Sequence, residues 1–130
     1  MPCRHILIAE DEACLAVFLQ TLLREGGHEV SLACNGRQAL DALVRCNGGR
    51  EKVDILLTDI QMPEIDGLEL ITRVRAMGMT VGIIAMSGSH DPDMKARLMK
   101  LNVECFLRKP FRPEQLNNHI RSTIQGGKLE

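Results

Sequence analysis

No basic run or stripe occurs in the 130 residues of this chain, and no apolar stretch is long enough to cross a bilayer. The 16 Lys and Arg residues stand against 17 Asp and Glu, a formal charge of -1. Without a patch that neutralises phosphates, direct nucleic-acid binding is not expected, and neither is a membrane partner. The N-terminus MPCRHILIAEDE lacks the long apolar region and small-residue cleavage site of a signal peptide. A soluble, cytoplasmic protein is the expectation. The five cysteines, Cys3, Cys14, Cys34, Cys46 and Cys105, form no C-x-x-C pair, and no histidine stands at zinc-finger spacing from them. They read as thiols in a reducing compartment. Repeats, low-complexity segments and long linkers are missing too, and the length leaves room for one domain, residues 1–125, followed by a polar tail, 126–130. Lys128, Leu129 and Glu130 read as native tail or cloning remnant. Any output activity needing its own domain must lie elsewhere.

What is present is a strict alternation of short apolar runs and amphipathic stretches. Arg4 to Ala9 forms a first strand that runs into three acids, Glu10, Asp11 and Glu12. Leu15, Phe18, Leu19, Leu22 and Leu23 follow helical spacing, and Gly26 and Gly27 end that helix. His28 to Cys34 predicts a second strand with an apolar stripe at Val30 and Leu32. After Asn35 and Gly36 comes a helix with Ala39, Leu40, Leu43 and Val44 on its apolar face, stopped by Asn47, Gly48 and Gly49.

The run Val53, Ile55, Leu56, Leu57, interrupted only by Asp54, suits a strand buried on both faces, and Asp59 follows directly. Pro63 and Gly67 punctuate a loop before a helix carrying Leu68, Ile71, Val74 and Met77. Thr80 to Met86 is a fourth strand, ending in Ser87, Gly88 and Ser89. Asp91 reads as an N-cap with Pro92 at the first helical position, and Met94, Leu98 and Leu101 give that helix its apolar face. Val103 to Leu107 is a fifth strand, followed by Arg108, Lys109, Pro110 and Phe111. Pro113 opens a last helix with Leu116, Ile120 and Ile124, which Gly126 and Gly127 end. Five strands alternating with five helices call for an α/β fold, a flavodoxin-like doubly wound (βα)5 parallel sheet.

Each polar group at a strand end has an ordinary explanation. Glu10, Asp11 and Glu12 could favour a helix N-terminus, Ser87 could cap a loop, Lys109 could be solvated, and Asp59 could be a turn residue. All of them, however, fall at the carboxyl edge of the sheet, where open α/β sheets place their chemistry. With the strand order 2-1-3-4-5, taken from known doubly wound proteins that include a member of the family named below, the acids lie on one side of Asp59. Ser87 and Lys109 lie on the other. Carboxylates of Glu10, Asp11 and Asp59 in close company repel, which raises a pKa or recruits a cation. An all-oxygen site with room for water suits Mg²⁺, with Mn²⁺ as a substitute. Phosphoryl transfer needs mostly positioning and charge neutralisation, with Asp59 as nucleophile and Lys109 opposite.

The blocks ILIAEDE, DILLTDIQMPEIDGLEL, AMSGS and FLRKPF, spread from Arg4 to Ile124, resemble the signature blocks of the receiver domains of two-component response regulators, of the single-domain chemotaxis-regulator kind. The resemblance implies a phosphoacceptor Asp59 and Mg²⁺ held by Asp11, Asp59 and the Gln61 backbone carbonyl, with Glu10 assisting through water. It further implies Ser87 as switch hydroxyl, Lys109 as phosphate partner, a cis bond between Lys109 and Pro110, and a phosphohistidine donor on a sensor histidine kinase or phosphotransfer protein. Such a domain catalyses only its own phosphorylation and dephosphorylation, and it signals through the face made by the fourth helix, fifth strand and fifth helix. Departures from the family's commoner residues are Glu10 for Asp, Ser87 for Thr, and Phe106 for Tyr, where a switch role and a plain core role are both open. Gln61 and Ser89 flank the site at positions that the family varies with phosphoryl lifetime.

Three competing readings fit less well. A haloacid-dehalogenase-like phosphatase needs a second Asp two residues after the nucleophile, where this chain has Gln61, and places its nucleophile after the first strand. A flavin-binding module needs a Ser/Thr/Gly-rich loop where Glu10, Asp11 and Glu12 stand. A degenerate receiver that only binds protein would not need the intact acids, Ser87 and Lys109.

Overall fold

The computed structural model describes residues 4–46, 52–62, 64–88, 91–103 and 105–125. In chain order these form β1 (His5–Ala9), α1 (Ala13–Glu25), β2 (Glu29–Ala33), α2 (Gly36–Cys46) and β3 (Ile55–Asp59). They continue as α3 (Gly67–Ala76), β4 (Gly82–Ser87), α4 (Pro92–Lys100), β5 (Cys105–Arg108) and α5 (Pro113–Gln125). All strands are parallel, in the order β2-β1-β3-β4-β5. This is the flavodoxin-like (βα)5 arrangement expected from the alternation. Cys3, the Asn47 to Gly49 helix stop, Pro63, Ser89 and the tail after Gln125 lie outside the described residues.

Alternation along the central strands splits the core into two layers. Ile6, Ile8, Ile55, Leu57, Ile84 and Met86 point to the face covered by α1 and α5, where Leu19, Leu23, Leu116 and Ile120 meet them. Leu7, Leu56, Ile83 and Ala85 point to the opposite face, against Ala39, Leu40 and Leu43 of α2 and Leu70, Ile71 and Val74 of α3. Strand β3 is buried over its whole length. Each large aliphatic side chain removed from water in this way contributes about 1.5–3 kcal/mol. Asp54 precedes β3 rather than interrupting it, and its Oδ2 accepts the His5 N–H at 2.9 Å.

The helical stripes are narrower than the sequence spacing suggests. Phe18, Val44 and Met77 were expected on apolar faces but are 48%, 50% and 51% exposed. Helix α1 turns Ala16, Leu19 and Leu23 inward, so Phe18, about 100° from Leu19, points away. Met77 is the C-cap of α3, past the last inward turn. Leu32 is 43% exposed because β2 is an edge strand whose burial is complete only at Ala33. Asp91 caps α4 as expected, accepting the Asp93 N–H at 3.0 Å, with Pro92 opening the helix. That helix fully buries Leu98 alone.

The amino-terminal rim of the sheet holds two basic residues in structural roles. Arg75 donates from Nε to the Leu101 carbonyl (2.9 Å) and from Nη1 to those of Met79 (3.1 Å) and Val81 (2.9 Å), fastening the end of α3 to the end of α4. His28, 8% exposed, accepts the Arg4 backbone N–H on Nδ1 at 3.3 Å. Burial, and then the Arg4 charge, hold its pKa below the ordinary 6.5. A depressed folded-state pKa means that the unfolded chain binds the proton more readily. The share of stability due to neutral His28 is therefore complete above pH 6.5 and is lost as pH falls below it. Urea midpoints measured from about pH 7.5 down to about pH 5 will decline, and His28→Gln will decline less over that window. Equal slopes for the two proteins would contradict this.

Candidate functional site

Strands that all run the same way deliver their ends to one rim, and the polar residues singled out in the sequence gather there. Glu10 leaves β1, Asp59 is the last residue of β3, Ser87 the last of β4, and Lys109 the first after β5. The ladder continues past the strands: Glu10 N–H donates to the Ala33 carbonyl at 3.0 Å, Ile60 N–H to Met86 at 2.9 Å, and Lys109 N–H to Ser87 at 2.9 Å. The loops that carry the site are thus held by main-chain bonds to neighbouring strands.

Carboxylate oxygens of Glu10, Asp11 and Asp59 lie within 4.8 Å of one another. Glu10 and Asp59 are 2% and 6% exposed, while Asp11 is open to solvent. At an effective dielectric of about 20 the buried pair alone repels by roughly 3 kcal/mol, so a cation is required nearby. Lys109 supplies one, its Nζ 2.9 Å from Glu10 Oε1 and 2.9 Å from Asp59 Oδ2. Burial pulls the Lys109 pKa down, but its hydrogen bonds and charge pairing with Glu10 and Asp59 outweigh that and leave it raised. For Glu10 the largest influence is burial, which pushes its carboxyl up, and the Asp59 charge adds to it. Hydrogen bonds from Lys109 and the Glu12 N–H act against the rise. The Glu10 rise has burial as its main cause and the neighbouring Asp59 charge as a smaller one.

None of the acids caps α1 through its side chain. Glu12 is the N-cap of α1 but makes no side-chain capping bond, and its own N–H donates to Glu10 Oε2 at 3.2 Å. Both Glu10 oxygens are therefore engaged. Asp59 Oδ1 accepts the Gln61 N–H at 3.1 Å, which fixes the start of the following loop against the carboxylate. One ammonium against three carboxylates leaves a surplus of negative charge. An all-oxygen donor set within 4.8 Å fits a small, hard divalent cation.

Ser87 and Phe106 stand at different depths relative to the acids. Ser87 is fully buried one position beyond Met86, the register partner of Asp59. Phe106 is half-buried opposite Ala85 and packs against the layer that includes Leu98, which places it on β5 away from the acids. The Lys109 to Pro110 bond is cis.

Two features were not anticipated. The Lys109 contact with Glu10 spans 99 positions and crosses from β5 to β1; the extra methylene of Glu10 was the one sign of such reach. The second is Gly67, where a Cβ would stand 2.1 Å from the Asp59 carbonyl oxygen and 2.7 Å from Ile60 Cα. Its N–H bonds the Ile60 carbonyl at 2.8 Å, so α3 begins directly against the end of β3. In the sequence this glycine reads as ordinary loop punctuation.

Comparison with known proteins agrees with this geometry. The family model of the response regulator receiver domain matches residues 6–121. The transcriptional regulatory protein FixJ of Bradyrhizobium diazoefficiens is 33% identical over 121 residues, covering 93% of this chain and 57% of FixJ. The alkaline phosphatase synthesis transcriptional regulatory protein PhoP of Bacillus subtilis is 24% identical, over 97% of this chain and 50% of PhoP. The chain thus spans about half the length of these curated relatives. Among solved structures, a response regulator receiver domain protein from Clostridium thermocellum superposes with a TM-score of 0.86 at 27% identity, covering 97% of this chain and 98% of that one. The chemotaxis protein CheY4 of Vibrio cholerae, at 23% identity and a TM-score of 0.84 over 94% of this chain and 99% of its own, shares the fold.

Proposed function

The chain belongs to the receiver-domain family of response regulators, and on that premise we propose that it is the phosphoacceptor of a two-component relay, with Asp59 as the residue that carries the phosphoryl group. The observation that carries this reading is Lys109 Nζ joined to both Glu10 and Asp59 beside Asp11: a carboxylate flanked by a cation and further acids at an open sheet edge. The donor is a phosphohistidine on a sensor histidine kinase or a histidine phosphotransfer protein. An Asp59 carboxylate oxygen attacks phosphorus, the P–N bond breaks, and the imidazole leaves with the electron pair and takes up a proton. Asp59 becomes an acyl phosphate.

Asp11, Asp59 and the Gln61 backbone carbonyl would hold Mg²⁺, or Mn²⁺ in its place, and Glu10 would assist through water. When bound, the ion supplies positive charge against the transferring phosphoryl oxygens. The residues of the chain do the rest. Lys109 gives up one of its two carboxylate partners to meet a phosphoryl oxygen, and the Gln61 N–H holds the carboxylate in line. Residues 1–125 act as a receiver domain in the cytoplasm that catalyses only its own phosphorylation and dephosphorylation.

The new group carries nearly two negative charges and extra acceptor oxygens. Ser87 and Lys109 move to meet it and draw the loops after β4 and β5 with them, reshaping the α4-β5-α5 face, where Phe106 follows. That α4 fully buries only Leu98 supports its mobility. The test is incubation with Mg²⁺ and a small acyl-phosphate donor. The protein is expected to gain the mass of one phosphoryl group, and chelation of the metal to prevent it. In the amide spectrum of the labelled protein, signals from α4, β5 and α5 should shift most. Labelling that survives chelation would refute the metal-assisted mechanism, and an unmoved face would refute the switch alone.

A further inference from the structure

We infer that Gly36, on α2 and outside the charged cluster, is a positioning residue that sets the Gln61 main chain for metal binding; the inference rests on the phosphoacceptor reading. A Cβ at position 36 would stand 2.1 Å from the Ile65 carbonyl oxygen and 2.9 Å from both its carbonyl carbon and its Cβ. A carbon and an oxygen atom in contact stand about 3.3 Å apart, so any side chain there forces a displacement of about 1 Å. Helix α2 is poorly placed to retreat. Its N-terminus is tied to the end of β2 by the Cys34 N–H to Gln38 Oε1 bond (2.9 Å) and closed by the Gln38 N–H to Asn35 Oδ1 bond (2.8 Å). Ala39, Leu40 and Leu43 fix its inner face.

The loop between β3 and α3 therefore takes the displacement. Ile65 and Met62 are 4% and 9% exposed, so the loop cannot swing outward without bringing apolar surface into water. Its far end is pinned where the Gly67 N–H meets the Ile60 carbonyl. Glu64 already holds a left-handed φ of 64°, costly for a residue with a side chain, which leaves little slack. Ile65 stands four residues from Gln61, whose N–H bonds Asp59 and whose carbonyl would be the metal ligand. Ile60, Met62 and Ile65 pack in one core layer, so movement at Ile65 bears on the Gln61 carbonyl between the first two. The absence of a side chain at position 36 is thus a condition for the ligand's place, through a contact between the α2 and β3 segments of the chain.

The test uses the full chain with Gly36→Ala, which crowds the contact, and Ile65→Ala, which removes the buried side chain that holds the loop in the core. Gly26→Ala at the C-cap of α1 serves as control, because a Cβ there meets nothing closer than 3.4 Å. Calorimetry with Mg²⁺ alone is expected to show affinity lowered about tenfold in Gly36→Ala and lowered also in Ile65→Ala, in keeping with the sensitivity of sites to shifts of about 1 Å. The Mg²⁺ concentration for half-maximal labelling by an acyl phosphate should rise in parallel, while the rate at saturating Mg²⁺ stays within about twofold of wild type. A merely destabilised fold would lower the saturating rate instead. In the metal-free proteins, amide signals of Asp59, Ile60 and Gln61 should shift in both variants and not in Gly26→Ala. If Gly36→Ala does not fold, Ile65→Ala tests the transmission from Ile65 to Gln61, and unchanged Mg²⁺ affinity in that variant overturns the inference. A wild type that binds Mg²⁺ while the folded variants bind it equally well overturns the role of Gly36. A wild type that binds none overturns the phosphoacceptor reading, and this inference with it.

Discussion

Asp59→Asn will fold and will take no phosphoryl group from an acyl-phosphate donor, with labelling reduced by at least about a thousandfold, the scale on which loss of a nucleophile is felt. The exchange keeps volume and shape at a position that is 6% exposed, so the packing around β3 is undisturbed. Its amide oxygen can still accept the Gln61 N–H or face Lys109. What the amide cannot do is attack phosphorus and remain as a stable acyl phosphate. Mass spectrometry of wild type and variant after equal incubation with Mg²⁺ and donor reads the difference directly. One phosphoryl group gained by both proteins would move the acceptor elsewhere, with solvent-exposed Asp11 and Glu12 the first places to look.

The second large effect is on stability. Lys109→Ala will lower the unfolding free energy of the metal-free protein by about 3 kcal/mol, the lower end of the range for removing one partner of a buried ion pair. Glu10 and Asp59 have side chains only 1% and 9% exposed, and both lose their 2.9 Å contact with the ammonium at once. The loss exceeds that of a surface pair, which is generally worth under about 1 kcal/mol. Mg²⁺ should restore a larger fraction of stability to the variant than it adds to wild type, because it brings positive charge to carboxylates that no longer have any. Urea unfolding of both proteins with and without the ion measures this. A destabilisation under about 1 kcal/mol would mean that water already screens the acids and that the pairing with Lys109 matters little.

Much of this was legible in the chain. The strand and helix alternation follows from short apolar runs set between stretches of helical period, and the residues ending β3 and β4 could be named because a parallel sheet sends all such ends to one rim. The reach of Lys109 to Glu10 could not be read, since it depends on how far two side chains extend across the two strands between β5 and β1. Nor could the contacts at Gly36 and Gly67, because a glycine needed for close approach and one needed for a turn look the same in sequence. Phe18, Val44, Leu32 and Met77 show a third limit. Period fixes the middle of an apolar stripe, but its edges depend on how closely neighbouring helices stand and on which strand ends the sheet.

The fastening of α3 to α4 by Arg75 and the burial of His28 both belong to the rim opposite the acids. A strand of five residues such as β3 measures about 16 Å from end to end. Substitutions couple energetically over roughly 7–10 Å when they share no partner. The molecule therefore has two regions that can drift independently: robustness can be raised or spent around Arg75 and His28 while the reactive end keeps its chemistry, and paired changes at opposite rims will combine by simple addition.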